Sequence, residues 1–215
     1  MESLIQTIAI SALPVIFAIT LHEAAHGYAG RHFGDPTAFL AGRITLNPIK
    51  HIDPIGTILI PGAILLFSGG SFLFGYAKPV PVDFGRLRQP KQDMLWVALA
   101  GPAANLFMAL CWAALLKIAV TGPENMYSLP LAEMSRVGVM INCALMVLNM
   151  LPLPPLDGGR VVVSLLPYSL AFKFAQLERW GFPILLVMLF TGILDAIMNP
   201  LLGFATGMIR AIFSF

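Results

Sequence analysis

The sequence predicts an all-α polytopic membrane protein, with four to six membrane segments and a small hairpin or sheet of strands on its cytoplasmic side. Three observations lead there. The 215 residues are 58% hydrophobic and only 11% charged, where soluble domains carry roughly 25% charged residues. An ionic surface cannot cover such a chain in water. The apolar residues also gather into runs long enough to cross a bilayer, and the few Lys and Arg cluster on particular connections. The same hydrophobicity excludes intrinsic disorder, and a net charge of +2 excludes a basic nucleic-acid surface.

A spanning helix needs about 20 predominantly apolar residues. Segments 4–29, 94–120, 137–151 and 182–198 are the strong candidates; the third is short and continues through 152–157 as unwound chain. The tail, 201–215, contains Arg210. It either crosses with that arginine snorkelling or lies in the interface. Segment 55–74 is nearly long enough, but Pro61-Gly62 and Gly69-Gly70 interrupt it, a pattern that fits a re-entrant hairpin whose backbone is covered by protein. Arg31, Arg43 and Lys50 lie in 31–53, Lys78, Arg86, Arg88 and Lys91 in 75–93, and Arg160, Lys173 and Arg179 in 157–180. Loop 119–133 has Glu124 and Glu133 and neither Lys nor Arg. The positive-inside rule makes the three basic segments cytoplasmic and that loop external. The N-terminus is then outside, in a multi-pass protein of the cell membrane. It lacks a basic n-region, so the first helix is expected to be retained.

Two stretches read as strands. In 41–48, Ile44 and Leu46 alternate with polar residues, the pattern of a half-buried strand. In 76–82, Pro79 and Pro81 alternate with Val80 and Val82, which allows only an edge or an extended segment. No repeat or low-complexity linker divides the chain, so residues 1–215 form one domain. Cys111 and Cys143 sit inside apolar runs and read as small buried hydrophobes, and the 11 Met and 15 Phe as core- and lipid-facing filler.

The chemistry is carried by polar residues in apolar surroundings. The first helix ends in Leu21-His22-Glu23-Ala24-Ala25-His26. Residues four apart share a helix face, so both imidazoles can meet one metal ion, with Glu23 beside them. Two His suit zinc, and a neighbouring carboxylate can act as base. Ionisable groups inside a membrane helix are functional by default. A catalytic zinc wants a third protein ligand and an open position. Asp157 is the best candidate, at the end of Asn149-Met-Leu-Pro-Leu-Pro-Pro-Leu-Asp-Gly-Gly-Arg160. Prolines there preclude a regular helix, and Gly158 and Gly159 permit a tight turn. Read alone, Asp157 would be an ordinary turn residue capping a helix that starts at Arg160.

Together, His22 to His26, Gly101-Pro102-Ala103-Ala104-Asn105 and Asn149 to Arg160 resemble the site-2 protease family of intramembrane zinc metalloproteases (peptidase family M50). The resemblance implies Zn2+ held by His22, His26 and Asp157, Glu23 as general base, and Asn149 stabilising the tetrahedral intermediate. The substrates implied are membrane proteins with transmembrane helices, cut in or near those helices in regulated intramembrane proteolysis. Loop 119–133, of about 15 residues, is too short for a PDZ domain, since domains need about 50. Residues 47–56 look like the compact PDZ-less bacterial subgroup. His51 and Asp53 there either touch a metal or the substrate entrance, or close an interfacial turn; His32 reads as structural. Asn105 either cross-links helices or contacts substrate backbone. Arg43, Ile44, Thr45 and Leu46 are the expected edge for pairing with an unwound substrate by β-augmentation. The rival classes are a membrane metal transporter, which would place polar groups on several helices and often in repeats, and an inactive scaffold for membrane clients, which would lack a ligand or Glu23.

Overall fold

The computed structural model describes residues 2–59 and 78–214. Its long helices are α1 (Glu2–His32), α3 (Pro90–Thr121), α4 (Ser128–Asn149) and α8 (Ile193–Phe213). Shorter ones are α2 (Thr37–Leu40), α5 (Asp157–Leu165), α6 (Tyr168–Ala175) and α7 (Glu178–Phe190). Single turns of 3₁₀-helix at Pro48–His51 and Phe84–Arg86, and a π-helical turn at Pro54–Leu59, occupy the connections. The stretches Ala9–His32, Pro90–Thr121, Ser128–Asn149 and Ile193–Phe213 are long and apolar enough to cross a membrane. The protein is a multi-pass membrane protein.

Helices α1, α3 and α4 pack together, and α8 leans on α3 and α4. Lipid tails are as apolar as Leu, so helices in a bilayer associate through close packing and interhelical hydrogen bonds. Small residues supply the close packing. Ala18 meets Met108 and Trp112 in one cluster, and Ala109, Ala113 and Cys143 meet Ile209 in another. Gly138 lies flat against the Trp112 ring, where a Cβ would come within 2.3 Å of it.

Several sequence expectations change. Helix α4 starts at Ser128, ahead of the expected 137, so the connection from α3 shrinks to 122–127. Glu133 and Arg136 pair on its first turns, which lets charged residues begin an apolar helix. The expected span 182–198 is two helices. The chain breaks at Thr191-Gly192, where Gly192 takes φ +76°, a conformation glycine adopts without a Cβ penalty. The second half of that segment joins the tail as α8. The Lys117 ammonium donates to the Ser214 carbonyl, so α8 ends beside the C-terminal end of α3.

Among the described residues there is no strand. Residues 41–48 turn and bend because Gly42 takes φ +62° and the Arg43 N–H returns to the Ala38 carbonyl. Residues 76 and 77 lie outside the described residues, and 78–83 run on without a partner strand. The alternation has another origin. Ile44 and Val80 pack on the bare backbone of Gly27 in α1, and Val82 lies over Gly30.

The expected re-entrant hairpin, 55–74, falls largely outside the described residues, but both its flanks meet on one side of the molecule. The Asp83 N–H donates to Asp35 Oδ2 at 2.7 Å, the Arg88 N–H to the Phe33 carbonyl at 3.0 Å, and the Lys78 N–H to the His51 carbonyl at 2.9 Å. In a Cys111→Ser background, cysteines placed at Leu40 and Arg86 should label from the same face of the membrane, and one at Met126 from the other. Opposite labelling at Leu40 and Arg86 would break this topology.

Candidate metal centre

His22 and His26 are one turn apart on α1, ten residues or fewer from its end, so His22 is about 15 Å along the helix from His32. Their Nε2 atoms are 3.1 Å apart. Asp157 Oδ2 lies 3.3 Å from each. The aspartate comes from the far end of the chain because α4 stops at Asn149, and Pro152, Pro154 and Pro155 keep the next residues out of a helix. Helix α5 then starts at Asp157 itself, and not at Arg160 as the turn-residue reading of Asp157 would have it. Two close approaches shape this hook. A Cβ on Gly158 would come within 2.3 Å of the Met150 carbonyl oxygen, and one on Gly159 within 2.3 Å of the Pro154 nitrogen.

The protonation pattern follows from the neighbours. Asn105 is fully buried, and its amide Nδ2 donates to the Ala18 carbonyl at 3.1 Å and to Asn142 Oδ1 at 2.9 Å. Its Oδ1 is therefore the acceptor facing His22, whose Nδ1–H donates to it at 2.6 Å. The His26 Nδ1–H donates to the Val97 carbonyl at 2.7 Å. Each imidazole has its hydrogen on Nδ1, so each Nε2 carries a lone pair. In the neutral rings those lone pairs converge with the Asp157 carboxylate, and Asp157 Oδ2 is buried without a hydrogen-bond partner among the described residues. Three acceptors at this spacing are a donor set that can hold a metal cation. Tetrahedral zinc, with bonds of about 2.0–2.1 Å, sets its ligand atoms about 3.3–3.4 Å apart, so the donor set fits that ion. The partners on Nδ1 are the kind that fix the tautomer of metal-binding histidines.

Gly101 in α3 faces the pair. A Cβ there would lie 2.3 Å from His26 Nε2 and 2.7 Å from His22 Nε2. Beside the three ligand atoms, the Glu23 carboxylate accepts the Val80 N–H at 2.7 Å. All four side chains line one cavity of about 610 Å³ whose wall also includes Pro79, Phe84, Asn149, Arg160, Glu178 and Phe182. The wall combines an apolar lining with a few convergent polar groups, as ligand sites do.

The other expected site residues fall differently. Asn149 reaches the cavity, with its amide donating to the Leu145 carbonyl of its own helix at 3.0 Å. Asn105 is behind His22 with its hydrogen-bonding groups engaged, which gives it the cross-linking role of the two read from sequence and removes it from the substrate side. None of Arg43, Ile44, Thr45 and Leu46 lines the cavity. Arg43 is buried and donates to the Lys78 carbonyl at 2.7 Å, so this stretch braces segment 78–83. His51 is buried, with Nε2 against the Thr45 carbonyl at 3.0 Å, and Asp53 caps the Gly56 N–H at 2.7 Å; neither lines the cavity. Sequence reasoning missed Asn142, Gly101 as the ring-facing surface, and Val80. An amide one helix away and a backbone N–H leave no local pattern to find.

A membrane-embedded helical bundle with a two-His, one-carboxylate centre and an adjacent free carboxylate defines a multi-pass protein of the metalloprotease class. Comparison with known proteins agrees. The sequence profile of peptidase family M50 matches residues 116–192. The chain is 38% identical over 205 residues to "Putative zinc metalloprotease YwhC" of Bacillus subtilis (strain 168), spanning 94% of this chain and 90% of that one. It is 29% identical over 180 residues to "Putative zinc metalloprotease Rip2" of Mycolicibacterium smegmatis, spanning 84% and 66%. No solved structure matches. The chain belongs to peptidase family M50, a zinc-dependent family.

Two substitutions test the arrangement behind the rings. Asn105→Ala removes the acceptor on His22 Nδ1 and should weaken metal binding about 10–100-fold. Gly101→Ala should expel metal by displacing the rings while the helices remain folded. Metal content of purified protein and a circular-dichroism melt in detergent read both; full metal occupancy in Gly101→Ala would contradict the close approach.

Proposed function

We propose that this protein is an intramembrane zinc protease of the cell membrane, hydrolysing peptide bonds within or near the transmembrane segments of membrane protein substrates in regulated intramembrane proteolysis. The observation that carries the reading is the Glu23 carboxylate, free of the ligand set yet in the same cavity as the three converging acceptor atoms. A metal carrier or a client-binding scaffold has no use for that carboxylate at that place.

His22, His26 and Asp157 would hold the ion. Zinc bound there supplies Lewis-acid chemistry, acidifying a water and polarising a peptide carbonyl. Glu23 is the base that takes the proton of the attacking water and passes it to the leaving amine. The Val80 N–H engages Oε2, which orients the carboxylate and leaves Oε1 for the proton. The Asn149 amide gives one hydrogen to Leu145 and keeps a second to donate to the oxygen that becomes negative as the carbonyl is attacked. The apolar wall formed by Ile19, Val97, Leu145 and Leu185 limits bulk water at membrane depth. A helical substrate has its carbonyls engaged along its own axis, so it must unwind before one can reach Asn149. Residues that weaken helices should therefore lie near the cut.

Glu23→Gln removes the base and no ligand. It should keep zinc at the wild-type stoichiometry and lower cleavage of a membrane substrate by about 10²–10⁴-fold, whereas Asp157→Ala should lose zinc and cleavage together. Elemental analysis beside an in-vitro cleavage assay separates these outcomes. Undiminished turnover by Glu23→Gln would refute the assignment.

A further inference from the structure

Arg160 takes no part in holding the ligand atoms or Glu23, yet it lies in their cavity. Helix α5 begins at Asp157, so Arg160 follows one turn later on the same face. It is the one Lys or Arg among the described residues lining the cavity. Its guanidinium carbon sits 4.8 Å from the centre of the Phe84 ring. Its Nη2 is 3.7 Å from Glu178 Oε1, and the two side chains are 35% and 57% exposed. That separation exceeds hydrogen-bond length, so the pair is a Coulombic contact and the planar fork is not engaged with this carboxylate.

We propose that Arg160 is the specificity-determining cation of this site, receiving a carboxylate side chain of the substrate in exchange for Glu178. The inference rests on the proteolytic reading above and names a feature of its substrates, an Asp or Glu on the cytoplasmic side of the cut. A guanidinium matches a carboxylate with two parallel N–H donors. A peptide that fills the cavity takes water from Arg160, and a dehydrated cation without a partner is costly. Glu178 is poorly placed to repay that cost. It sits at the first turn of α7, and α7 cannot slide inward, because Gly181 is already packed on the Pro154 carbonyl so closely that a Cβ would be 1.8 Å from it. The Glu178 side chain can swing out to water at little cost, since more than half of it is already there. The exchange leaves the charge of the cavity unchanged, and the Phe84 face keeps the guanidinium at the mouth. A substrate lysine at the same place would meet a like charge and be rejected.

The test uses binding, so that it does not depend on turnover. Zinc-loaded Glu23→Gln protein in phosphatidylcholine nanodiscs is titrated with fluorescent transmembrane peptides. The peptides are identical except for Asp, Asn or Lys at one position, moved stepwise through the cytoplasmic half. At one register the Asp peptide should bind about tenfold tighter than Asn, with Lys weakest. Adding Arg160→Gln should bring the Asp-to-Asn ratio to about one. Adding Glu178→Gln should tighten the Asp peptide severalfold, because it removes the resting competitor. An ion pair serving structure alone would weaken binding with both variants, and that result overturns the proposal. Equal weakening of Asp and Asn peptides by Arg160→Gln, as for a contact to main-chain carbonyl, also overturns it. So does an Arg160 effect seen only in phosphatidylglycerol nanodiscs and regardless of peptide, which would assign the cation to lipid phosphate. Lack of cleavage by the wild-type protein would count against proteolysis itself, while the binding order would still report on Arg160.

Discussion

Two imidazole nitrogens and a carboxylate oxygen face one another at 3.1–3.3 Å, three acceptors with nothing to bridge them when the rings are neutral. That arrangement is unfavourable on its own, and the rest of the fold exists around it. It persists because the Nδ1 hydrogen of each histidine is taken from behind, by Asn105 for His22 and by the Val97 carbonyl for His26. Were the hydrogen of either neutral ring to move from Nδ1 to Nε2, that nitrogen would have no lone pair for a metal. The pair is thus set by acceptors that the metal never touches.

The same chain of contacts holds the helices together. From His22 the path runs to Asn105 in α3, then to Asn142 in α4, and ends on the Gly138 carbonyl. In a bilayer no water is present to take up a spare amide, so each member must bond to the next helix or to its own backbone. Gly138 closes this path and also receives the Trp112 ring. Close packing and polar satisfaction therefore meet at one turn of α4. The geometry that orients the metal ligand and the geometry that docks α1, α3 and α4 are one set of bonds.

Segment 78–83 adds the third part. It runs across the Gly27 and Gly30 face of α1, fixed by Asp35, His51 and Arg43, and it brings the Val80 N–H to Glu23. Pro79 and Pro81 have no N–H to offer, so the segment has few donors for pairing with a second strand. A proline-rich extended stretch can therefore stand beside the metal centre without becoming an edge that binds any passing strand.

What could be read from the sequence was whatever depends on local spacing or on hydrophobic length. The His22 and His26 pair follows from the pitch of one helix, and the spans around α1, α3 and α4 follow from the thickness of a bilayer. Asp157 was legible because prolines and glycines announce irregular backbone in an apolar stretch. The strand reading of 41–48 failed for a physical reason: Ile44 packs on Gly27 of a helix and not across a sheet, while Leu46 is exposed and Arg43 buried; Val80 and Val82 of the second stretch also lie on helix glycines, Gly27 and Gly30. The break at Gly192 was hidden because a single glycine inside an apolar run is tolerated within a helix and does not by itself mark a turn. Only the tertiary structure decided that Asn105 faces His22, that Gly101 leaves room for the rings, and that Val80 meets Glu23. Those contacts join residues 57 to 83 positions apart, and no local rule of the chain relates residues so distant until packing has brought their helices together.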